Sequence, residues 1–164
     1  MASTPNYSTL AAWPLAICRT LNSENIDPDP LLSEAGLNYS EFETNPDGRI
    51  PIEKMTQFWQ EVETSSKNPA FALKVGKFVQ PMHFRALGLL MITSKNMFEA
   101  MESLEKYHAL VSNTVDIRII QKVDRIGFVI DPLPGVPIHP MSIDAFFATL
   151  LILSQQLTDQ LDLL

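Results

Sequence analysis

Val115-Asp116-Ile117-Arg118-Ile119 and Ile126-Gly127-Phe128-Val129-Ile130 are the two stretches on which the fold class turns. In each, apolar side chains recur at every second position, the period of a strand with one face buried. Lys122 to Asp124 interrupt the alternation and read as the turn of an antiparallel hairpin. Two strands alone are marginal, so the hairpin must lie on helices or pair with something further. Nearly everything else reads as helix. The expected class is therefore α+β: a helix-rich domain with a small antiparallel sheet packed against helices.

Upstream of the hairpin, proline supplies most of the punctuation. A first helix is expected over about Ser8 to Asn22, with Leu10, Trp13, Ile17, Cys18 and Leu21 on one face. Pro14 is tolerated only near a helix start, so the regular part can begin at Trp13. Asp29 can cap a short helix carrying Pro30 in its first turn, and Gly36 can end it. Asn45-Pro46-Asp47-Gly48 reads as a type I turn. Pro51 then opens a helix to about Thr64 whose buried face is Ile52, Met55, Trp59 and Val62, and Asn68-Pro69 opens another carrying Phe71, Val75, Phe78 and Val79. Periodicity does not separate a buried strand from a buried helix over the apolar run Phe84 to Ile92, with helix the preferred reading, and Ser94 is read as the cap of the next helix, about Lys95 to Val111, with His108 on its inward stripe.

Downstream, Pro132, Pro134, Pro137 and Pro140 mark an extended linker. Ser142 can cap a last helix from Ile143 to the end, apolar on every side around Ala145 to Leu153. Such a helix is buried all round or packed against another chain. That apolar core is shorter than the roughly 18 residues a membrane span needs. The sequence stops at Leu161-Asp162-Leu163-Leu164, inside an apolar pattern, so the chain is expected to have been cut from something longer.

The 164 residues suit one domain, and 46% hydrophobic content is enough for a core. A net charge of -7 makes this chain by itself a poor candidate for gripping a phosphate backbone. Cys18 is the single cysteine, which excludes an intrachain disulfide and a cysteine-based zinc site. With no signal peptide at the N-terminus, a cytoplasmic location is expected.

No catalytic pattern is present: no glycine-rich phosphate loop, no His-Glu-x-x-His, no Gly-x-Ser-x-Gly. The expectation is no enzyme activity, no metal and no cofactor. His83, His108 and His139 show no metal-ligand spacing. His108 reads either as a core histidine satisfied by a backbone carbonyl or as a polar anchor in a ligand pocket. Arg85, inside an apolar run, needs an ion-pair partner or a ligand carboxylate.

Several fragments in order carry a resemblance: Leu31-Leu32-Ser33-Glu34-Ala35-Gly36-Leu37, Asp47-Gly48-Arg49-Ile50-Pro51, Phe58-Trp59, and Asn68-Pro69-Ala70-Phe71-Ala72-Leu73-Lys74-Val75-Gly76. Pro81 to Gly88, Thr93-Ser94, Glu99-Ala100, and Tyr107 with Leu110-Val111-Ser112 complete the set. From about Leu15 to Leu157 the chain resembles the N-terminal sensory domain of AraC-type bacterial transcription regulators, in the subgroup labelled arabinose-binding. Lys95-Asn96-Met97 stand where that family commonly has Pro-Thr-Leu.

The resemblance implies a single effector-binding and dimerisation domain over residues 1–164, truncated before a C-terminal DNA-binding domain with two helix-turn-helix motifs. It implies a small-molecule effector, a homodimer, and contact with DNA only through the missing domain. The pocket is expected between the hairpin and its covering helices. Trp59, Phe84, Tyr107 and Phe128 are expected as walls, with Arg85 and His108 as polar contacts. Phe146, Phe147, Leu150 and Leu151 of the last helix are the expected dimer interface. The rival reading is a ligand-free homodimerisation module with a filled interior.

Overall fold

The computed structural model describes residues 6–158. Among these it holds eight α-helices and two antiparallel sheets of two strands each, an α+β mix. The hairpin forms where the alternation places it. Strands β3 (Val115–Gln121) and β4 (Ile126–Pro132) pair with Ile117 opposite Ile130 and Ile119 opposite Phe128. Ile117 and Ile130 are buried, whereas Asp116 and Arg118 face out. Arg118 forms ion pairs with Asp116 and Asp131, which sit opposite each other across the strands. Its guanidinium thereby offsets a like-charge pair that would otherwise weaken the ladder.

The first element is not helix. Ser8–Leu10 form strand β1, paired with strand β2 (Arg49–Pro51), and helix α1 (Trp13–Ser23) starts only afterwards, with Pro14 in its first turn. The expected helical periodicity from Ser8 fails because β1 finds distant partners. Its other edge meets the segment before β3: Leu10 N donates to Val111 O at 2.8 Å, and Ser8 N donates to Asn113 Oδ1 at 2.7 Å. Arg49 secures this corner, donating to the Ser8 hydroxyl, the Ser8 carbonyl and the carbonyls of Leu110 and Val111.

Helix α2 (Pro28–Glu34) is capped by Asp27 rather than Asp29. The sequence Asp27-Pro28-Asp29-Pro30 offers the same cap-and-proline signal twice, and the earlier copy wins, with Asp29 N donating to Asp27 Oδ1 at 3.1 Å. Helix α3 (Tyr39–Thr44) follows, then the turn at Asn45–Gly48, closed by Gly48 N to Asn45 O at 2.9 Å. Helix α4 (Ile52–Ser66) buries Met55, Phe58, Trp59 and Val62, and helix α5 (Phe71–Val75) runs into a 3₁₀ turn at Gly76–Phe78.

A second 3₁₀ turn, Pro81–Phe84, leads to helix α6 (Ala86–Ile92). Helix α7 (Met97–Tyr107) is capped by Asn96, not Ser94: Asn96 Oδ1 accepts from Glu99 N at 2.9 Å, and the Glu99 carboxylate accepts from Lys95 N. Helix α8 (Pro140–Thr158) begins two residues before Ser142, with Met141 N donating to His139 Nδ1 at 3.3 Å. The expectation for Leu161 to Leu164 lies outside the described residues.

The core runs through all these layers, with Trp59, Phe42, Phe58, Phe71 and Phe84 its largest fully buried side chains. Helix α8 packs on α5 and the 3₁₀ turn after it. The closest approach is at Gly76, where an added Cβ would stand 2.8 Å from the Ala148 carbonyl. By length and composition α8 is, among the described residues, one helix long and apolar enough to cross a membrane, although its most apolar stretch is the shorter Ala145 to Leu153. Its Ala145, Thr149, Leu150 and Leu153 are nevertheless buried within this domain.

Candidate functional site

A pocket with a cavity of about 50 Å³ lies beneath the hairpin. Elements far apart in the chain contribute to its wall. Ile117 and Ile130 come from the buried face of the hairpin, and Val115 from the start of β3. Ile52 and Met55 come from the first turn of α4, Leu104 from α7, and Ser142, Ile143 and Phe146 from the start of α8. Trp13 supplies the start of α1, and Thr9 the middle of β1.

Three aromatic rings form one side. Trp13 stacks on Phe84 at 5.9 Å between centroids, and Phe146 meets both edge-on at 6.2 Å. Such offset and edge-to-face arrangements are favoured by the ring quadrupoles. Phe84 is placed there by the 3₁₀ turn Pro81–Phe84. That turn presses against α6 so closely that a Cβ on Gly88 would stand 1.7 Å from the Pro81 carbonyl oxygen.

The polar groups on the wall are few. Thr9 Oγ1 donates to Val111 O at 3.2 Å, and the Ser112 and Thr114 hydroxyls pair at 2.8 Å. The Ser142 hydroxyl has no hydrogen-bond partner among the described residues. His108 stands where α7 gives way to a 3₁₀ turn. Its Nδ1 lies 2.8 Å from the Glu105 carbonyl oxygen and its Nε2 lies 3.0 Å from the Val115 carbonyl oxygen. Glu105 Oε1 also accepts from Ile119 N at 2.8 Å, so two side chains of the α7 region clamp strand β3.

Of the six residues expected at a pocket, the structure brings Phe84 and His108 to this wall. The other four lie elsewhere. Trp59 is 1% exposed in the core, its Nε1 buried without a partner among the described residues. Tyr107 and Phe128 are half-buried against the core. Arg85 is exposed and holds Asp47 in a two-pronged ion pair, Nε to Oδ1 at 2.6 Å and Nη2 to Oδ2 at 2.9 Å. That pairing keeps the Asp47 carboxyl below its usual range. Sequence reasoning missed Thr9, Trp13 and the start of α8. Helical periodicity put Trp13 on the inward face of α1, but nothing local says that face meets a hairpin a hundred residues on.

Of the four residues expected at a dimer interface, Phe146 is on the pocket wall and Leu150 is buried in the core. Leu151 is half-buried, and Phe147 projects outward, 41% exposed. Cys18 is fully buried and its thiol is pushed up to about 12, chiefly by burial, so it is an inert core residue.

The family description "arabinose-binding domain of AraC transcription regulator, N-terminal" matches residues 26–164. The chain belongs to that family. It is thus a ligand-sensing regulatory domain of an AraC-type regulator. No curated protein matches the chain. Thr9 and Trp13 precede the matched stretch, so part of the pocket wall of this AraC-type domain comes from residues outside the family pattern.

Proposed function

We propose that the pocket beneath the hairpin receives the small-molecule effector, and that its occupancy controls DNA binding by a C-terminal helix-turn-helix domain. The observation that carries this reading is the composition of the wall. Ser142, Ile143 and Phe146 all come from the start of α8, the last helix of the described chain. A ligand that contacts these side chains favours one placement of α8 over another. Whatever follows α8 then feels the difference as a shift in population. In this reading the domain is bacterial, cytoplasmic and without catalytic activity, uses no cofactor and touches DNA only through its partner domain. It forms homodimers for which the outward Phe147 is the best-placed of the four α8 candidates.

The test is a thermal-shift screen of small neutral and charged metabolites against the chain and its Ser142→Leu variant, whose larger side chain takes up room at the wall of the cavity. A compound at 100 times its Kd adds about 2.7 kcal/mol, which corresponds to roughly 5–10 °C for a chain of this size. The expected result is such a shift in the parent chain and none in the variant. Compounds that stabilise both equally, or none that stabilise either, would contradict the reading.

A further inference from the structure

We propose, building on the sensing reading above, that the effector is uncharged and mostly hydrocarbon. Its expected form is a slender alkyl or acyl chain bearing one neutral oxygen function such as a hydroxyl, ketone or ester. A sugar or a free carboxylate does not fit the same wall.

The argument starts with charge. Among the described residues, no Asp, Glu, Lys or Arg lines the pocket. Arg85, the cation nearest in sequence to Phe84, is on the outside and already engaged with Asp47. Arg49 spends its guanidinium on Ser8 and on the carbonyls of Leu110 and Val111. His108 is the one titratable side chain on the wall among the described residues, and both its nitrogens already face carbonyl oxygens of this chain. A buried carboxylate would therefore find no free cation, which is prohibitive in an apolar enclosure.

Hydrogen-bonding capacity comes next. A pentose presents four hydroxyl groups, each of which must be satisfied once taken from water. The wall offers Ser142, the hydroxyl left free by the Ser112–Thr114 pair, and the lone pairs of Thr9. That is three groups, too few for the four hydroxyls of a pentose and enough for a single alcohol, ketone or ester. The remaining wall is hydrocarbon: Trp13, Phe84 and Phe146 on one side, with Met55, Ile117 and Ile130 among the others. The cavity measures about 50 Å³. Ser142, half-buried on this wall with no hydrogen-bond partner for its hydroxyl among the described residues, is the group against which the ligand's oxygen would sit.

The test uses the full chain and three probes, 1-octanol, octanoate and L-arabinose, followed by intrinsic tryptophan fluorescence, because Trp13 is on the wall. 1-Octanol is expected to change the fluorescence saturably. 1-Hexanol should bind about fifteen-fold more weakly, about fourfold for each methylene lost. Octanoate is expected at least tenfold weaker than 1-octanol at pH 7, and L-arabinose silent. Ser142→Ala should weaken 1-octanol several-fold, and Ser142→Leu should abolish its binding. Octanoate binding as tightly as the alcohol, or arabinose binding more tightly, would overturn the ligand class. If that binding is abolished by Ser142→Leu, the sensing pocket itself survives. Alcohol binding that persists in Ser142→Leu would overturn the placement. Silence of all three probes would overturn the class, and the metabolite screen then decides the sensing reading separately.

Discussion

Arg85 sits at φ 54° and ψ -126°, a backbone region that side chains other than glycine rarely adopt. It is held there between the turn that carries Phe84 and helix α6, and by its grip on Asp47. An arginine inside an apolar run signals a partner, and the partner proves to be a neighbouring turn rather than a ligand. Sequence could not separate the two, because Asp47 is brought near by the fold, not by spacing. His108 shows a similar limit. It lines the pocket, and both its ring nitrogens lie against backbone carbonyl oxygens, as a histidine satisfied by the backbone would. His83 gives the clearest prediction at this scale. It is buried, and its Nδ1 accepts from Gln80 N at 3.1 Å, which requires an unprotonated nitrogen. Burial, aided by the charge of Arg19, lowers its pKa from 6.5. The unfolded chain thus takes up a proton that the native one resists. This contribution to stability is complete above about pH 6.5 and is lost as pH falls from there toward the lowered native value. Unfolding in urea between pH 5 and 7 is expected to show a shallower pH slope in His83→Gln, by at most about 1.4 kcal/mol per pH unit. An unchanged slope would place the histidine elsewhere.

Among elements, the hairpin was legible because its signal is local: alternation of apolar and polar residues over seven-residue strands. Strand β1 was not, because Ser8–Leu10 carry no pattern of their own and become a strand only through Ile50 and Val111. Helix starts were legible to within a few residues, the misses falling where two caps compete, as at Asp27 and Asp29 or Ser94 and Asn96. The docking of α8 on α5 was not legible at all. It depends on Gly76, whose missing side chain lets the Ala148–Thr149 backbone come close. Gly76→Ala is expected to lower stability by about 1–3 kcal/mol through overpacking, measured by chemical denaturation. A neutral substitution would mean that α8 does not seat there.

At the scale of the whole molecule, the strand that opens the described chain and the helix that closes it both reach the same cavity, through Thr9 at one end and Phe146 at the other. The apolar character of α8 suggested a partner chain when read alone. In the fold, much of that surface is used inside the domain, by Ala145, Leu150 and Leu153 in the core and Phe146 at the pocket. A sensor that draws its wall from both strands of the hairpin and from α1, α4, α7 and α8 couples an occupant to elements far apart in the chain, which is what control of a following domain requires. The most direct measurement is a map of backbone and indole amide NMR shifts on adding the most strongly stabilising compound from the screen. The account predicts that the largest changes fall on Thr9, the Trp13 indole, Ile117, Ile130 and Ser142 to Phe146. Changes confined to the outer face of α6, with these positions still, would contradict it.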